Sequence, residues 1–145
     1  MFNVPNVPSA AAMVMAGSLL FAASAAVAAP VEQTMGGIAI MHGGVGVGDR
    51  NTMEQARSRY NLRLTFATKG SGAYLSGTRV LIVDRQGTSR VDTSASGPWL
   101  FARLPAGDYV VTATEGNQTL RQKISIKGSA AREWVFRFDA PSSAP

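Results

Sequence analysis

From Asn61 to Phe138 the apolar residues fall at alternate positions in short runs, and turn residues break the runs about every ten positions. Successive side chains of a strand point to opposite faces, so runs of this kind make half-buried strands. NLRLTFAT sets Leu62, Leu64 and Phe66 against Asn61, Arg63 and Thr65. TRVLIVD is apolar on both sides at its centre, and RQG turns it back. TSRVDT, PWLFARL and YVVTATE follow, divided by SASG and PAGD. GNQ is a hairpin turn into TLRQKISIK, where Leu120, Gln122, Ile124 and Ile126 share a side. GSAA then leads to REWVFRF, where Trp134, Phe136 and Phe138 point one way. Seven such strands predict an all-β fold, an antiparallel sandwich of the immunoglobulin or transthyretin type.

One helix precedes the strands. DRNTMEQARSRY offers Asp49, Asn51 and Thr52 as N-caps, and Thr52 with Gln55 fits a capping box. Met53, Ala56 and Tyr60 share a narrow apolar stripe suited to lying on a sheet. Residues 29–48 are rich in Gly and Met and read as a linker, within which IAIM makes a short strand or docks on the domain. Residues 49–139 are then the folded domain, and DAPSSAP runs into a frayed tail over residues 140–145.

Residues 1–30 hold no charged side chain, and Ala10 to Ala29 are apolar or small throughout. AVAAP places Ala26 and Ala28 at the positions signal peptidase reads, so residues 1–28 are expected to be a signal peptide cut after Ala28. MFNVPNVPS lacks the usual Lys or Arg. The expected location is periplasmic or secreted; the alternative is a membrane anchor formed by the uncut segment. The chain has no cysteine, which excludes disulfides, thiolate metal sites and cysteine nucleophiles. Its net charge of +5 comes from 14 Lys+Arg, never three in a row, against 9 Asp+Glu. Such scatter marks a solvated basic surface, and no interleaving of aromatic and basic residues indicates nucleic acid.

The segment from Gly77 to Gly116, GTRVLIVDRQGTSRVDTSASGPWLFARLPAGDYVVTATEG, carries a distinctive order. Val80 and Ile82 lead to a turn with Asp84 and Gly87, followed by Thr93 and Gly97. Trp99 and Phe101 alternate, and Leu104, Gly107 and Tyr109 complete the run, with Val111 and Ala113 beyond. This order resembles the carboxypeptidase regulatory-like domain, a transthyretin-type β-sandwich. The helix and YNLRLTFATKGSGAYLSG replace that family's usual first strand, as in a set of similar small exported bacterial proteins. The resemblance implies an accessory fold without catalytic residues. By their spacing alone, Trp99, Phe101, Tyr109, Val111 and Ala113 are expected on one inner face, and the Tyr109 hydroxyl is expected to return to the backbone upstream.

Candidate sites are few. MHGGVGVGDR lacks the Gly-Lys-Ser/Thr ending of a phosphate loop and the βαβ setting of a dinucleotide site. Its expected role is a flexible hinge, with Asp49 where a phosphate would sit. His42, the only histidine, with Met35 and Met41 offers soft and imidazole ligands for copper, while Met53 reads as helix packing. Serine-hydrolase chemistry would need His42, which the glycine loop is expected to leave mobile. Asp84, Asp92 and Asp108 fall at turns or strand ends. Trp99 and Trp134 would stack sugars if exposed, but their spacing assigns them to the core. Arg57, Arg59 and Arg63 cluster at the helix–strand junction. The expectation is a non-enzymatic, cofactor-free module that binds an envelope protein, with no nucleic acid and no stable membrane insertion once the signal is cut. The alternative is a periplasmic small-ligand or copper carrier using the Met/His segment.

Overall fold

The computed structural model describes residues 29–140. The expected signal peptide and nearly all of the expected tail lie outside them. The order is β1 (Val31–Met35), β2 (Ile38–Gly43), α1 (Val47–Ala56), a 3-10 turn (Arg57–Arg59), β3 (Leu62–Thr68), β4 (Arg79–Asp84), β5 (Ser89–Ser94), β6 (Trp99–Arg103), β7 (Gly107–Glu115), β8 (Gln118–Ile126) and β9 (Arg132–Phe138). The strands form two sheets, β1-β2-β6-β3-β9 and β5-β4-β7-β8, packed as a β-sandwich with one short helix.

The seven expected strands are present, and two more lie in the expected linker. VEQTM and IAIMHG pair as a hairpin around Gly36 and Gly37, and β2 then joins β6. Ile38 and Ile40 are buried, so this hairpin is part of the core and residues 29–48 are not a linker. The all-antiparallel expectation also needs correction. β9 runs parallel to β3, with Leu62 beside Arg132 and Thr68 beside Phe138. The chain crosses from β8 in one sheet to β9 in the other, where β9 joins the edge beside β3 and runs in the same direction.

Alternation builds the core. Ile38, Ile40, Leu62, Leu64, Phe66, Leu100, Ala102, Phe136 and Phe138 come from the first sheet. Val80, Ile82, Val91, Tyr109, Val111, Ala113, Ile124 and Ile126 face them from the second. Phe66 and Phe136 stack with centroids 6.1 Å apart, and each buried ring contributes about 2–3 kcal/mol. Asn61, just before β3, ties the sandwich together at one end. Its side-chain amide donates to the carbonyls of Leu104 (2.8 Å) and Gly128 (3.1 Å), and its oxygen accepts the Leu104 N–H (2.8 Å).

Trp99 and Phe101 depart from the expected inner face. On β6 it is Leu100 and Ala102 that point between the sheets. Phe101 belongs to a second cluster on the outer face, with Met41, Met53, Ala56 and Tyr60, against which Trp99 packs. Helix α1 covers that cluster, and its stripe of Met53 and Ala56, continued by Tyr60, is buried as the spacing predicted. Trp134 also differs. It shares a side with Phe136 and Phe138 but remains 42% exposed, because it lies on an edge strand next to the other sheet's edge, β8.

Several residues of the Gly77–Gly116 order have visible work. The Asp84 carboxylate accepts the N–H groups of Gln86 (3.0 Å) and Thr88 (2.9 Å), and Gly87 closes the same turn with φ +81°. Leu104 is buried and Gly107 begins β7. The Tyr109 hydroxyl donates to the Pro105 carbonyl at 2.7 Å, as expected. Gly97 sits against the backbone of Gly43, and a Cβ there would overlap the Gly43 carbonyl. Gly97→Ala must therefore push β2 from the turn before β6. We expect a loss of about 2–3 kcal/mol in a urea unfolding curve, the usual cost of overpacking against a rigid neighbour. An unchanged midpoint would contradict the close approach.

Candidate functional site

The glycine loop is fixed by its own carboxylate. Gly46 stands at the N-cap with φ +84°, a backbone open chiefly to glycine, so the helix starts at Val47 and not at Asp49, Asn51 or Thr52. Asp49 instead lies in the first turn. Its Oδ2 accepts the N–H groups of Gly44 (2.6 Å) and Val45 (3.0 Å), and Arg50 Nε donates to the Gly44 carbonyl (3.1 Å). Asp49 is 5% exposed and fills the space where an anion would bind, which makes the segment a pinned turn and not a flexible hinge. Asp49→Ala removes two charge-assisted bonds together with a negative charge at the helix N-terminus. The expected loss is about 2–3 kcal/mol of unfolding free energy, read by urea titration.

His42 is not in a mobile loop. It lies on β2, is buried, and is held from both sides. The Ser96 N–H donates to Nδ1 at 2.9 Å, with the Ser96 hydroxyl also 2.9 Å away. The Gln33 side-chain amide nitrogen lies 2.8 Å from Nε2. Burial lowers the pKa of His42 from 6.5. The unfolded chain thus binds the proton more readily, and stability is full above about pH 6.5 and falls as pH drops through the lower folded value. Acid titration of stability should show this fall with a slope of up to about 1.4 kcal/mol per pH unit, and His42→Gln should flatten it. An equal acid slope in both proteins would refute the assignment.

The three copper candidates do not meet. Met41 and His42 are consecutive on β2, so they point to opposite faces; Met41 packs under α1. Met35 lies across from Ile38 at the far end of the hairpin, packed on the main core. Among the described residues no group of three or more His, Asp or Glu side chains forms a metal-binding set. The acidic candidates are also separately engaged. Asp84 holds its turn, Asp92 pairs with Arg79 at 3.3 Å, and Asp108 accepts the Ser125 hydroxyl at 2.6 Å. Asp84 and Asp108 line one depression of about 500 Å³ with Arg85 and Lys123.

The most structured surface is on the outer face of β6, β3 and β9. Pairing sets three rows: Phe101–Arg63–Glu133, Trp99–Thr65–Val135, and Tyr74–Ala67–Arg137. They floor a groove of about 380 Å³, lined at one end by Glu54 of α1 and Arg57 of the 3-10 turn. Trp99 and Phe101 stack at 6.2 Å, and the Arg50 guanidinium lies 5.5 Å from the Tyr74 ring centre. Arg57 and Arg63 both pair with Glu133 Oε1, Arg63 at 3.1 Å, while Arg57 also meets Glu54 at 3.4 Å. Arg63 donates to the Arg57 carbonyl at 3.1 Å, and its Nε is buried without a partner in the structure. Burial, and next the neighbouring Arg57, lower the Arg63 pKa from its ordinary value. Of the expected arginine cluster, Arg59 stands apart, paired with Glu32 at 3.2 Å.

β9 is the edge strand along this groove, and Trp134 and Val135 are its exposed apolar residues. Arg137 has no ion pair among the described residues. Tyr74, Thr65, Ala67, Glu133 and Arg137 escaped the sequence reading. The one signal was the fall in size along the outward positions of β3, from Arg63 to Thr65 to Ala67. No protein-family model matches the chain, and no curated protein matches it significantly.

Proposed function

We propose that this protein is a non-catalytic, exported β-sandwich module that acts by protein–protein contact in the cell envelope, with β9 as its docking edge. The observation that carries this reading is Trp134 at 42% and Val135 at 38% exposure, consecutive and on opposite faces of a strand whose outer backbone edge has no neighbouring strand among the described residues. Unpaired strand edges are templates for another chain, and exposed edges are normally blunted, not supplied with a tryptophan. Arg132 and Arg137 flank the pair and favour an acidic partner segment.

Export is supported by the leader and by the position of β1. Val31 begins the strand just beyond Ala28, so a cut there leaves every strand whole. The transthyretin-type likeness of the carboxypeptidase regulatory-like domain is supported by the Asp84–Gly87 turn and the Tyr109–Pro105 bond. The non-catalytic reading rests on commitment: His42, Asp49, Asp84, Asp92 and Asp108 each hold a structural partner.

A photo-crosslinking amino acid placed at Trp134 in intact cells should give a discrete adduct with an envelope protein, and the same probe at Arg85, on the exposed β4–β5 turn, should not. No adduct from position 134, or the same adduct from both positions, would sink the proposal.

A further inference from the structure

The groove beside β9 is built by a size gradient. Its left column is aromatic (Phe101, Trp99, Tyr74), its centre shortens from Arg63 through Thr65 to Ala67, and its right column is Glu133, Val135 and Arg137. The floor therefore drops under Thr65 and Ala67 between two taller walls. The resulting space of about 380 Å³ lies within the range of small-ligand sites. The walls are held in place: Trp99 packs against Phe101 and Gly44, and Tyr74 is fixed by its bridge to Ala67 and by Arg50 from the helix.

The chemistry of the lining narrows the ligand. Flat rings receive an apolar face. Glu54 and Glu133 accept hydroxyl protons and repel a multiply charged anion such as a phosphate. Both Arg57 and Arg63 meet Glu133 through Oε1, which leaves Oε2 open to a ligand. Three guanidinium groups stand against two carboxylates, and the surplus is Arg137, at the end away from Glu54 and Arg57. A guanidinium without a carboxylate suits one carboxylate from outside. The complement of this lining is a ring with one apolar face, several hydroxyls and a single carboxylate.

We propose that the outer-face groove binds an acidic saccharide of the uronate class, its ring against Trp99 and Tyr74, its hydroxyls on Glu133 and Glu54, and its carboxylate on Arg137. The groove shares Trp134, Val135 and Arg137 with the β9 edge, but saccharide binding by the purified protein tests the groove and a protein adduct in cells tests the edge, so either can fail alone.

Calorimetric titration of the full chain with galacturonate, with its neutral methyl ester and with inorganic phosphate decides the matter. Saturable binding of galacturonate is expected, weaker by about tenfold or more for the ester and for the Arg137→Glu variant. Thr65→Phe, which refills the floor, should abolish it. Arg85→Glu, an equal charge change on a distant turn, should leave it unchanged. If Thr65→Phe does not fold, Arg137→Glu and the ester still decide. Absence of saturable binding, equal binding of the ester, equal loss in Arg85→Glu, or phosphate binding with the same dependence on Arg137 would each overturn the proposal.

Discussion

The five-stranded sheet has apolar residues on both faces, and most of the molecule follows from the need to cover each of them. On one side Leu62, Leu64, Phe66, Leu100, Phe136 and Phe138 require the four-stranded sheet. On the other, Met41 and Phe101 require α1. An amphipathic helix of ten residues has little stability alone, so the helix and the cluster beneath it form together. Asp49 makes this geometrically possible. By taking the N–H groups of Gly44 and Val45 it turns the chain sharply from β2 onto the sheet it has just left.

The same geometry explains where the open surface arises. The helix is too short to cover the whole outer face. It covers the end bearing Phe101 and leaves the rows of Thr65 and Ala67 open, next to the edge strand β9. Edge and groove share that strand, with Trp134 on one of its sides and Val135 and Arg137 on the other. Meanwhile the polar groups that suggested chemistry in the sequence are occupied elsewhere. His42 is clamped by Ser96 and Gln33, and the aspartates hold turns, an arginine or a serine. The open groove is lined instead by aromatic rings, guanidinium groups and the carboxylates of Glu54 and Glu133.

Legibility followed period. Strands β3 to β9 stood out because alternation is a local property, and so did the Met53–Ala56–Tyr60 stripe and the Tyr109 hydroxyl bond. β1 was missed because VEQTM has no alternating apolar side; it is an edge strand, and its exposure pattern is mostly solvent. β2 was half-seen because IAIM is apolar on both faces, as a strand between a sheet and a helix must be. Trp99 and Phe101 were placed on the wrong side for the same reason. On a two-sided strand the larger residues do not reveal which side faces the second sheet, and here Leu100 and Ala102 took that place. His42 looked mobile because glycines follow it, although the strand extends to Gly43. The groove was invisible because its rows join residues from three separate segments.

What the sequence alone determined is therefore the β class, the strand positions from Leu62 onward, the turn chemistry and the apolar stripe of the helix. These depend on side chains within a few residues of one another. Only the tertiary structure decided the parallel pairing of β9 with β3, the outward turn of Trp99, the burial of His42 and Asp49, and the joining of Tyr74, Trp99, Arg63 and Arg137 around one space. Those outcomes depend on which face of each strand finds a cover, and that is settled by packing between segments distant in the chain.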